Sequence, residues 1–228
     1  PETGIVKLIS KSGKEILTKT ALSYDEPITI DTILIKGKEV MPGETIKIQG
    51  DYLNLIHMVE FADGVWVSED DFVSHDRYTI EVVVPEKART GKLKLYTADL
   101  TKAEDPDALT YNIVPSNSAL VVGTPVVAKF SSPRGEAEAL GDVTIKQGET
   151  LTISGNFFTL VDSVKFGKDV YVKDLIFADD GGKTLKLVLP AAAPDGDVNL
   201  VAKSGVEIPV GTITTVAPSN WTATDSYG

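Results

Sequence analysis

Apolar and polar residues alternate over short stretches of this chain. In Thr45-Ile46-Lys47-Ile48-Gln49 the two isoleucines point to one side and the polar residues to the other, and Leu151 and Ile153 repeat this pattern. A period of two is typical of half-buried β-strands, and no stretch keeps the spacing of a helix. The alternation predicts further strands at Ile80, Val82 and Val84, at Leu185, Leu187 and Leu189, at Leu93 and Leu95, and at Val198 and Leu200.

Turn-forming residues separate these stretches at short intervals. Glycine and its usual turn partners occur at Pro42-Gly43, Gly50-Asp51, Asp63-Gly64, Thr90-Gly91, Asp180-Gly181-Gly182 and Asp195-Gly196. Several short strands with such turns, within roughly 90 residues, are typical of a sandwich of two antiparallel sheets. The sequence therefore predicts an all-β chain built from β-sandwiches.

The chain contains an internal repeat. Residues 41–96 align with residues 146–201 without a gap at a constant offset of 105, and 17 of the 56 aligned pairs are identical. Most identical pairs are residues of buried or turn type, such as Ile48 with Ile153 and Gly50 with Gly155, rather than reactive residues. A chain of 228 residues with 42% hydrophobic residues is long enough for two ordinary cores, which the period near 100 favours. The repeat therefore encodes a scaffold.

Two further matches predict where the repeats begin and end. Residues 4–16 match residues 196–208 at an offset of 192, so we expect the chain to open with the last hairpin of an earlier, truncated repeat. Pro115-Ser116-Asn117 and Pro218-Ser219-Asn220 leave the two complete repeats, and the second is interpreted as a linker into a further domain. The predicted divisions are 1–24 for the terminal hairpin, 25–114 and 115–217 for two domains, and 218–228 for the linker.

The segments outside the matched block carry their own expectations. An isolated hairpin is marginal in water, so residues 1–24 are expected either to pack on the first complete repeat or to be mobile. The second repeat has a seven-residue insertion around residues 131–140, which we expect to be a surface loop. A short linker over residues 114–124 is expected to join the two domains into a semi-rigid rod.

Charge and composition exclude several classes of protein. The net charge of −11 argues against nucleic acid as a partner, because phosphates would be repelled and no local basic patch is found. The chain has no cysteine, which excludes disulfides and thiolate chemistry. No uninterrupted apolar run of about 18 residues is present, so we expect no membrane insertion within this chain.

The residues that commonly carry catalysis or bind metals form no recognisable motif. His57 and His75 correspond to Asp162 and Asp180 in the second repeat. Neither histidine lies near a serine and carboxylate arrangement that indicates a catalytic triad. Phosphate-binding loops and zinc-ligand spacings are missing from the sequence. The acidic groups offer oxygen ligands to calcium but lack the alternating pattern of a calcium loop, so solvated loop charge is the preferred interpretation; these groups are Glu69-Asp70-Asp71, Glu104-Asp105-Pro106-Asp107 and Asp179-Asp180. We expect no enzymatic activity, no metal site and no cofactor.

One pair of aromatic residues is the candidate binding site. Val65 and Val67 recur as Val170 and Val172, so alternation directs Trp66 and its counterpart Tyr171 to the opposite, outer face. An exposed ring can stack on a sugar or contact another domain, whereas the simpler alternative is that each ring covers its own sheet edge. Val83 and Val188 also point outward, so an interdomain surface stays open as a third interpretation.

The order of glycine, apolar and proline residues along each repeat resembles the IPT/TIG family of immunoglobulin-like domains. The resemblance rests on Gly43-Glu44-Thr45-Ile46-Lys47-Ile48-Gln49-Gly50, Val59-Glu60-Phe61, Val84-Pro85 and Ala88 with Gly91, and on the same arrangement in the second repeat at Gly148 to Gly155, Val164 to Phe166 and Leu189-Pro190 to Gly196. It covers about 190 residues. One departure is Asp51-Tyr52, where the second repeat has the family's common Asn-Phe as Asn156-Phe157. The resemblance implies tandem immunoglobulin-like β-sandwiches.

The resemblance also implies a class of function. Tandem copies with this acidic, cysteine-free composition look most like surface proteins of Bacteroidetes-type bacteria, including lipid-anchored glycan-binding proteins. In those proteins the repeats generally act as spacers. We therefore expect a monomeric, extracellular segment, anchored to the outer membrane through a region outside this chain, whose partner is a polysaccharide or another surface protein. The alternatives are an adhesin that binds proteins and an accessory part of an extracellular glycoside hydrolase.

Overall fold

The computed structural model describes residues 4–22, 27–105 and 110–216, which form an all-β chain. Its strands divide into one hairpin and two immunoglobulin-like units. The hairpin contains β1 (Gly4–Ile9) and β2 (Glu15–Leu22). The strands of the first unit are β3 (Thr29–Leu34), β4 (Thr45–Asp51), β5 (Met58–Phe61), β6 (Val65–Ser68), β7 (Ser74–His75), β8 (Thr79–Val83), β9 (Gly91–Tyr96) and β10 (Ile113–Leu120).

The strands of the second unit follow the same order, with two additional strands, β12 and β13, before the matched block. They are β11 (Val126–Ser132), β12 (Gly135–Glu138), β13 (Asp142–Lys146), β14 (Thr150–Asn156), β15 (Val161–Phe166), β16 (Val170–Val172), β17 (Ile176–Phe177), β18 (Thr184–Val188), β19 (Gly196–Ala202) and β20 (Glu207–Val216). The only helical segments in the described residues are single 3₁₀ turns, such as Leu53–Leu55 and Phe158–Leu160. The expected all-β fold is confirmed.

The first unit is a sandwich of two four-stranded sheets. One sheet has the order β3-β4-β8-β7 and the other has the order β10-β9-β5-β6. The alternating residues Ile46 and Ile48 pair with Val82 and Ile80 across β4 and β8, and all four are buried. They pack against apolar residues of the opposite sheet, which include Val59, Phe61, Leu93 and Leu95. Burial of these side chains supplies the main driving force for folding.

The second unit has two five-stranded sheets. Their orders are β12-β11-β14-β18-β17 and β13-β20-β19-β15-β16, and β13 pairs with β20 in parallel. Leu151 and Ile153 of β14 face a core that also contains Phe130, Phe158 and Phe166. In the first unit a single parallel bridge, from Val40 to Val122, lies at the position of the β13–β20 pair. The two cores are separate, as the period of the repeat predicts.

The last strand of the first unit extends further than the sequence suggests. β10 pairs with β9 from Ile113 to Leu120, with a register shift between Pro115 and Ala119. Within that irregular stretch the Ser116 hydroxyl accepts a hydrogen bond from the Leu93 amide at 3.0 Å, which replaces a ladder bond. Val122 is also buried in the first core. Residues 115–120 therefore lie in a strand of the first unit, beyond the boundary expected at residue 114, whereas residues 218–228 lie outside the described part of the chain.

The insertion in the second repeat forms a strand rather than a surface loop. β12 turns back from β11 and pairs with it from Lys129–Glu138 to Ser132–Gly135, which adds an edge strand to the sheet. Lys129 and Glu136 form an ion pair of 3.0 Å across this hairpin. The alternation in these seven extra residues is too short to have indicated a strand. The prediction of a surface loop at residues 131–140 is therefore wrong.

Next to its turn, the β1–β2 hairpin reproduces the pairing of β19 with β20. Leu8 pairs with Ile16, and at the offset of 192 Leu200 pairs with Ile208. Leu200 is fully buried, whereas Leu8 and Ile16 are 56% and 55% exposed. The described residues 4–22 thus share the geometry of a terminal hairpin without a core to cover their apolar side chains.

Candidate functional site

Trp66 lies on the outer face of the first unit. Its strand neighbour Val67 is buried in the core, and alternation turns Trp66 to the other side of β6, where it is 39% exposed. The ring is not free on that surface. It meets the ring of Tyr96, from β9, in an edge-to-face contact with centroids 5.1 Å apart and an angle of 65° between the planes. This is the edge-to-face geometry that aromatic pairs prefer.

A buried carboxylate lies beneath this aromatic contact. Glu60 of β5 is directly opposite Trp66 in the strand pair and is only 8% exposed. Its oxygens accept hydrogen bonds from Lys94 Nζ, at 3.2 Å each, and from the Tyr96 hydroxyl. Burial and the bond to Glu60 raise the pKa of Tyr96, so the phenol stays protonated and donates. The charge of Glu60 is thus satisfied by two donors.

A third ring extends the aromatic surface. Tyr111 lies next to Tyr96, with centroids 5.7 Å apart and an angle of 38° between the planes. We call Trp66, Tyr96 and Tyr111 the first-unit aromatic cluster. The alternation along the chain indicates Trp66 but not the two tyrosines or Glu60, because their positions depend on the register of three strands. The pairing of Met58 with both Ser68 and Tyr96 sets that register.

Tyr171 occupies the matching position in the second unit. It lies on β16 and is 50% exposed, as the alternation of Val170 and Val172 predicts. Its cross-strand partner is Lys165, whose Nζ is 5.8 Å from the centre of the ring, close enough for a cation–π contact. Lys165 also forms an ion pair of 2.7 Å with Glu207, and this hydrogen bond raises the pKa of the lysine. Tyr171 therefore stands beside a charged pair, as Trp66 does.

The two rings belong to two places, not one. Trp66 is in the sheet of β5 and β6, and Tyr171 is in the corresponding sheet of the second unit. Val83 and Val188 do point outward, but they lie on β8 and β18, in the opposite sheets. The outer surface proposed from sequence to include these valines with the aromatic residues is therefore divided between two faces of each sandwich.

Both histidines have structural partners, and so do Glu69, Asp70 and Asp180 of the acidic groups, whereas Asp107 lies outside the described residues. His57 Nδ1 and Glu69 Oε2 share a hydrogen bond of 2.7 Å, and His75 Nε2 donates to the Leu53 carbonyl at 2.9 Å. Asp70 forms an ion pair with Lys102, and Asp180 accepts two backbone amides in its turn. Within residues 4–22, 27–105 and 110–216, no three histidine or carboxylate side chains converge as a metal site would require.

Sequence comparison with known proteins assigns no family. No protein-family model matches the chain, and no curated protein matches it. The helical turns in the described residues are also far shorter than a membrane-spanning helix.

Solved structures with a similar arrangement exist at low identity. One is a surface glycan-binding protein of Bacteroides ovatus in complex with a mixed-linkage heptasaccharide, with 15% identity and a TM-score of 0.31 over 93% of this chain and 52% of that one. A second, from Prevotella bryantii, is also a surface glycan-binding protein, with 19% identity and a TM-score of 0.35 over 82% of this chain and 42% of that one. A third is the I9–I11 tandem of titin, with 14% identity and a TM-score of 0.34 over 94% and 74% of the two chains.

The chain spans between 40% and 52% of the length of the first four such structures.

Proposed function

We propose that this chain is a non-catalytic part of a bacterial cell-surface protein that captures polysaccharide. Its units are immunoglobulin-like domains of the IPT/TIG type, held outside the cell by an anchor that lies outside this chain. The observation that carries the proposal is the matched pair Trp66 and Tyr171, two large outward rings at one position of the repeat. A large aromatic ring exposed at the same position of both repeats offers each unit a flat surface for stacking.

The surroundings of each ring suit a sugar. The C–H face of a pyranose ring packs on an aromatic face, while its hydroxyl groups need hydrogen-bond partners at the rim. Beside Trp66 this partner is Lys94, and beside Tyr171 the partners are Lys165 and Glu207. The edge contact with Tyr96 fixes the indole before a ligand arrives, which lowers the entropy lost on binding.

The tandem arrangement supports a second part of the same function. Two sandwiches in series extend the reach of whatever follows them, so the chain acts as a spacer as well as a weak binding surface. A polysaccharide offers many identical sugars, and two weak sites on one chain gain avidity from that repetition. We therefore assign modest affinity to each ring and a larger effect to the pair.

Titration with polysaccharides tests this function. Xyloglucan and mixed-linkage glucan are the first ligands to use, because oligosaccharides of these glycans are bound in two of the similar solved structures. Trp66→Ala and Tyr171→Ala are each expected to weaken binding by roughly fivefold, from the loss of about 1 kcal/mol of stacking. Tyr78→Ala, which removes an exposed ring elsewhere on the first unit, is the control and should bind as wild type does. Binding that is absent, or unchanged in both alanine variants, would remove the stacking role and leave only the spacer.

A second candidate function is adhesion to another protein. The observation that favours it is the apolar edge of the second unit, where Ile176 and Phe177 of β17 are exposed beside Val188 of β18. Exposed apolar groups next to an open sheet edge are a common protein-binding surface. Beads coated with the chain should clump if copies adhere to one another, and Ile176→Lys should keep them dispersed. Wild-type beads that stay dispersed would argue against adhesion between copies.

A further inference from the structure

The connection between the two units is very short. Gly123 donates its amide to the Val40 carbonyl at 2.9 Å, and the amide of Val122 donates to the Thr90 hydroxyl at 3.0 Å, so both residues are tied to the first unit. β11 of the second unit begins at Val126. Only Thr124 and Pro125 lie between, and proline fixes one backbone dihedral. The covalent link therefore permits little independent rotation.

A turn of the second unit lies against the first unit next to this link. It joins β19 to β20 and contains Lys203, Ser204 and Gly205, which we call the Lys-Ser-Gly turn. Arg89 Nε donates to the Ser204 carbonyl at 2.6 Å, and Lys203 Nζ forms an ion pair of 2.8 Å with Glu86. Arg89 Nη1 is in turn held by Asp63 of its own unit at 3.0 Å. The arginine thus reaches across the junction from a fixed position.

Gly205 is the point of closest approach. Its φ of +78° suits glycine, and a Cβ built on it would lie 2.6 Å from Arg89 Nη2. A side chain there would meet the guanidinium directly. The close approach of Arg89 to the turn therefore depends on the absence of a side chain at residue 205.

The same turn occurs in the β1–β2 hairpin. Lys11, Ser12 and Gly13 repeat the sequence, and Gly13 has a φ of +82°. Its amide donates to the Ser10 carbonyl at 2.9 Å, as the Gly205 amide does to Ala202 at 2.7 Å. In the described residues, a Cβ on Gly13 would have no atom within 4 Å. The shape of the turn thus comes from its own sequence. The turn therefore loses little conformational entropy when it docks.

The first unit has residues for this contact that the second unit lacks. At the offset of 105, Asp63, Glu86 and Arg89 correspond to Lys168, Ala191 and Pro194. The framework residues of the repeat are shared, while the charged residues at the junction are not. Because the second unit folds without them, the arginine and the two carboxylates are not needed for the fold, and their shared feature is the contact at the junction.

We propose that the Lys-Ser-Gly turn is a docking surface whose partner is an immunoglobulin-like unit that presents an arginine held by a carboxylate, with a second carboxylate for the lysine. Through it, the two units of this chain form one rigid body. Neighbouring domains joined by small interfaces usually move relative to each other, so rigidity is a specific consequence of these contacts. The proposal is independent of glycan binding.

Rotational diffusion of the intact chain, from ¹⁵N NMR relaxation, tests the proposal. In the wild type the amides of both units should fit one diffusion tensor. In Arg89→Ala the units should need separate tensors, and both correlation times should fall towards that of a unit of half the mass. Arg134→Ala is the control, because Arg134 pairs with Glu149 inside the second unit. Separate tensors in the wild type, or one tensor in Arg89→Ala, would overturn the rigid joint.

A second pair of variants isolates the turn. Gly205→Ala and Gly13→Ala impose the same backbone strain, since the two glycines have nearly the same φ, but only the first brings a methyl group to Arg89. Gly205→Ala should separate the two tensors, and Gly13→Ala should leave one. If both variants behave alike, the contact with Arg89 does not hold the joint.

Discussion

Tyr96 donates its hydroxyl hydrogen to Glu60 and presents its ring to Trp66, with the two ring centroids 5.1 Å apart. One side chain thus satisfies a buried carboxylate and supports the exposed ring of the candidate site. The counterpart of Tyr96 in the second unit is Val201, which has no hydroxyl, and the counterpart of Glu60 is Lys165. The support beneath the exposed ring is therefore particular to the first unit.

Tyr96→Phe should destabilise the first unit while keeping the ring in place. The variant removes one of the two donors to Glu60, a residue that is only 8% exposed. A hydrogen bond to a charged group contributes about 1.5–3 kcal/mol, so the free energy of unfolding should fall by about that amount in urea titrations. Tyr78→Phe, at an exposed tyrosine, should change it by less than about 0.5 kcal/mol. Equal stability of the two variants would mean that Lys94 alone satisfies Glu60.

Asp99 should make the stability of the first unit depend on acid pH. Burial raises the pKa of Asp99, but hydrogen bonds from Ser68, Thr101 and Lys102 outweigh it and lower the pKa to about 2. Because the folded pKa is below the unfolded value of 3.8, the stabilisation is complete above that value and is lost as the pH falls towards 2. The wild type should therefore lose stability relative to Asp99→Asn over this range.

Urea midpoints measured from about pH 6 down to about pH 2 would check this dependence. The advantage of the wild type over Asp99→Asn should be constant down to about pH 4 and should then shrink. Asp70→Asn is a suitable control, because Asp70 also pairs with Lys102 but its side chain is 70% exposed. It should differ little from the wild type at any pH. An Asp99→Asn difference that does not vary with pH would contradict the assignment.

The alternation of the sequence predicts the central strands of each sheet, but not the edge strand β12 or the end of β10. Alternation identified Ile46 and Ile48 as core residues and directed Trp66 outward, because both follow from the period of two alone. The end of the first unit was misplaced because Pro115 looked like the start of a linker. In the structure the strand continues beyond Pro115, where the Ser116 hydroxyl accepts a hydrogen bond from the Leu93 amide. A local pattern does not reveal a side chain that substitutes for a ladder bond.

The neighbours of Trp66 could not be predicted for a related reason. Tyr96 is 30 residues away in sequence, and it reaches Trp66 only because β5 lies between β6 and β9. Which residues face each other across those strands depends on register, and one residue of slip would turn Tyr96 into the core. The docking of Arg89 on Ser204 does not follow from the identical residues of the two repeats, because the junction is formed by residues that differ between them.

Gly155→Ala should destabilise the second unit severely. A Cβ on Gly155 would lie 1.9 Å from the Val126 carbonyl oxygen, and the matching Gly50 has the same distance to the Thr29 oxygen. Both contacts are with backbone, which moves only if the strand pair opens. We expect a loss on the order of 3 kcal/mol, measured by thermal or urea unfolding. Gly135→Ala, in the same unit but with open space at its Cβ, is the control, and similar unfolding of both variants would refute the steric argument.

The β1–β2 hairpin should exchange its amide hydrogens far faster than its structural twin. Leu8 pairs with Ile16 as Leu200 pairs with Ile208, so the two hairpins have the same strand register next to their turns. They differ in burial, because Leu200 lies in a core and Leu8 is 56% exposed. A two-stranded hairpin without a covered face is marginal in water. In hydrogen–deuterium exchange of the intact chain, residues 4–16 should therefore lose protection while residues 196–208 retain it. Equal protection would show that something covers the apolar face of β1 and β2.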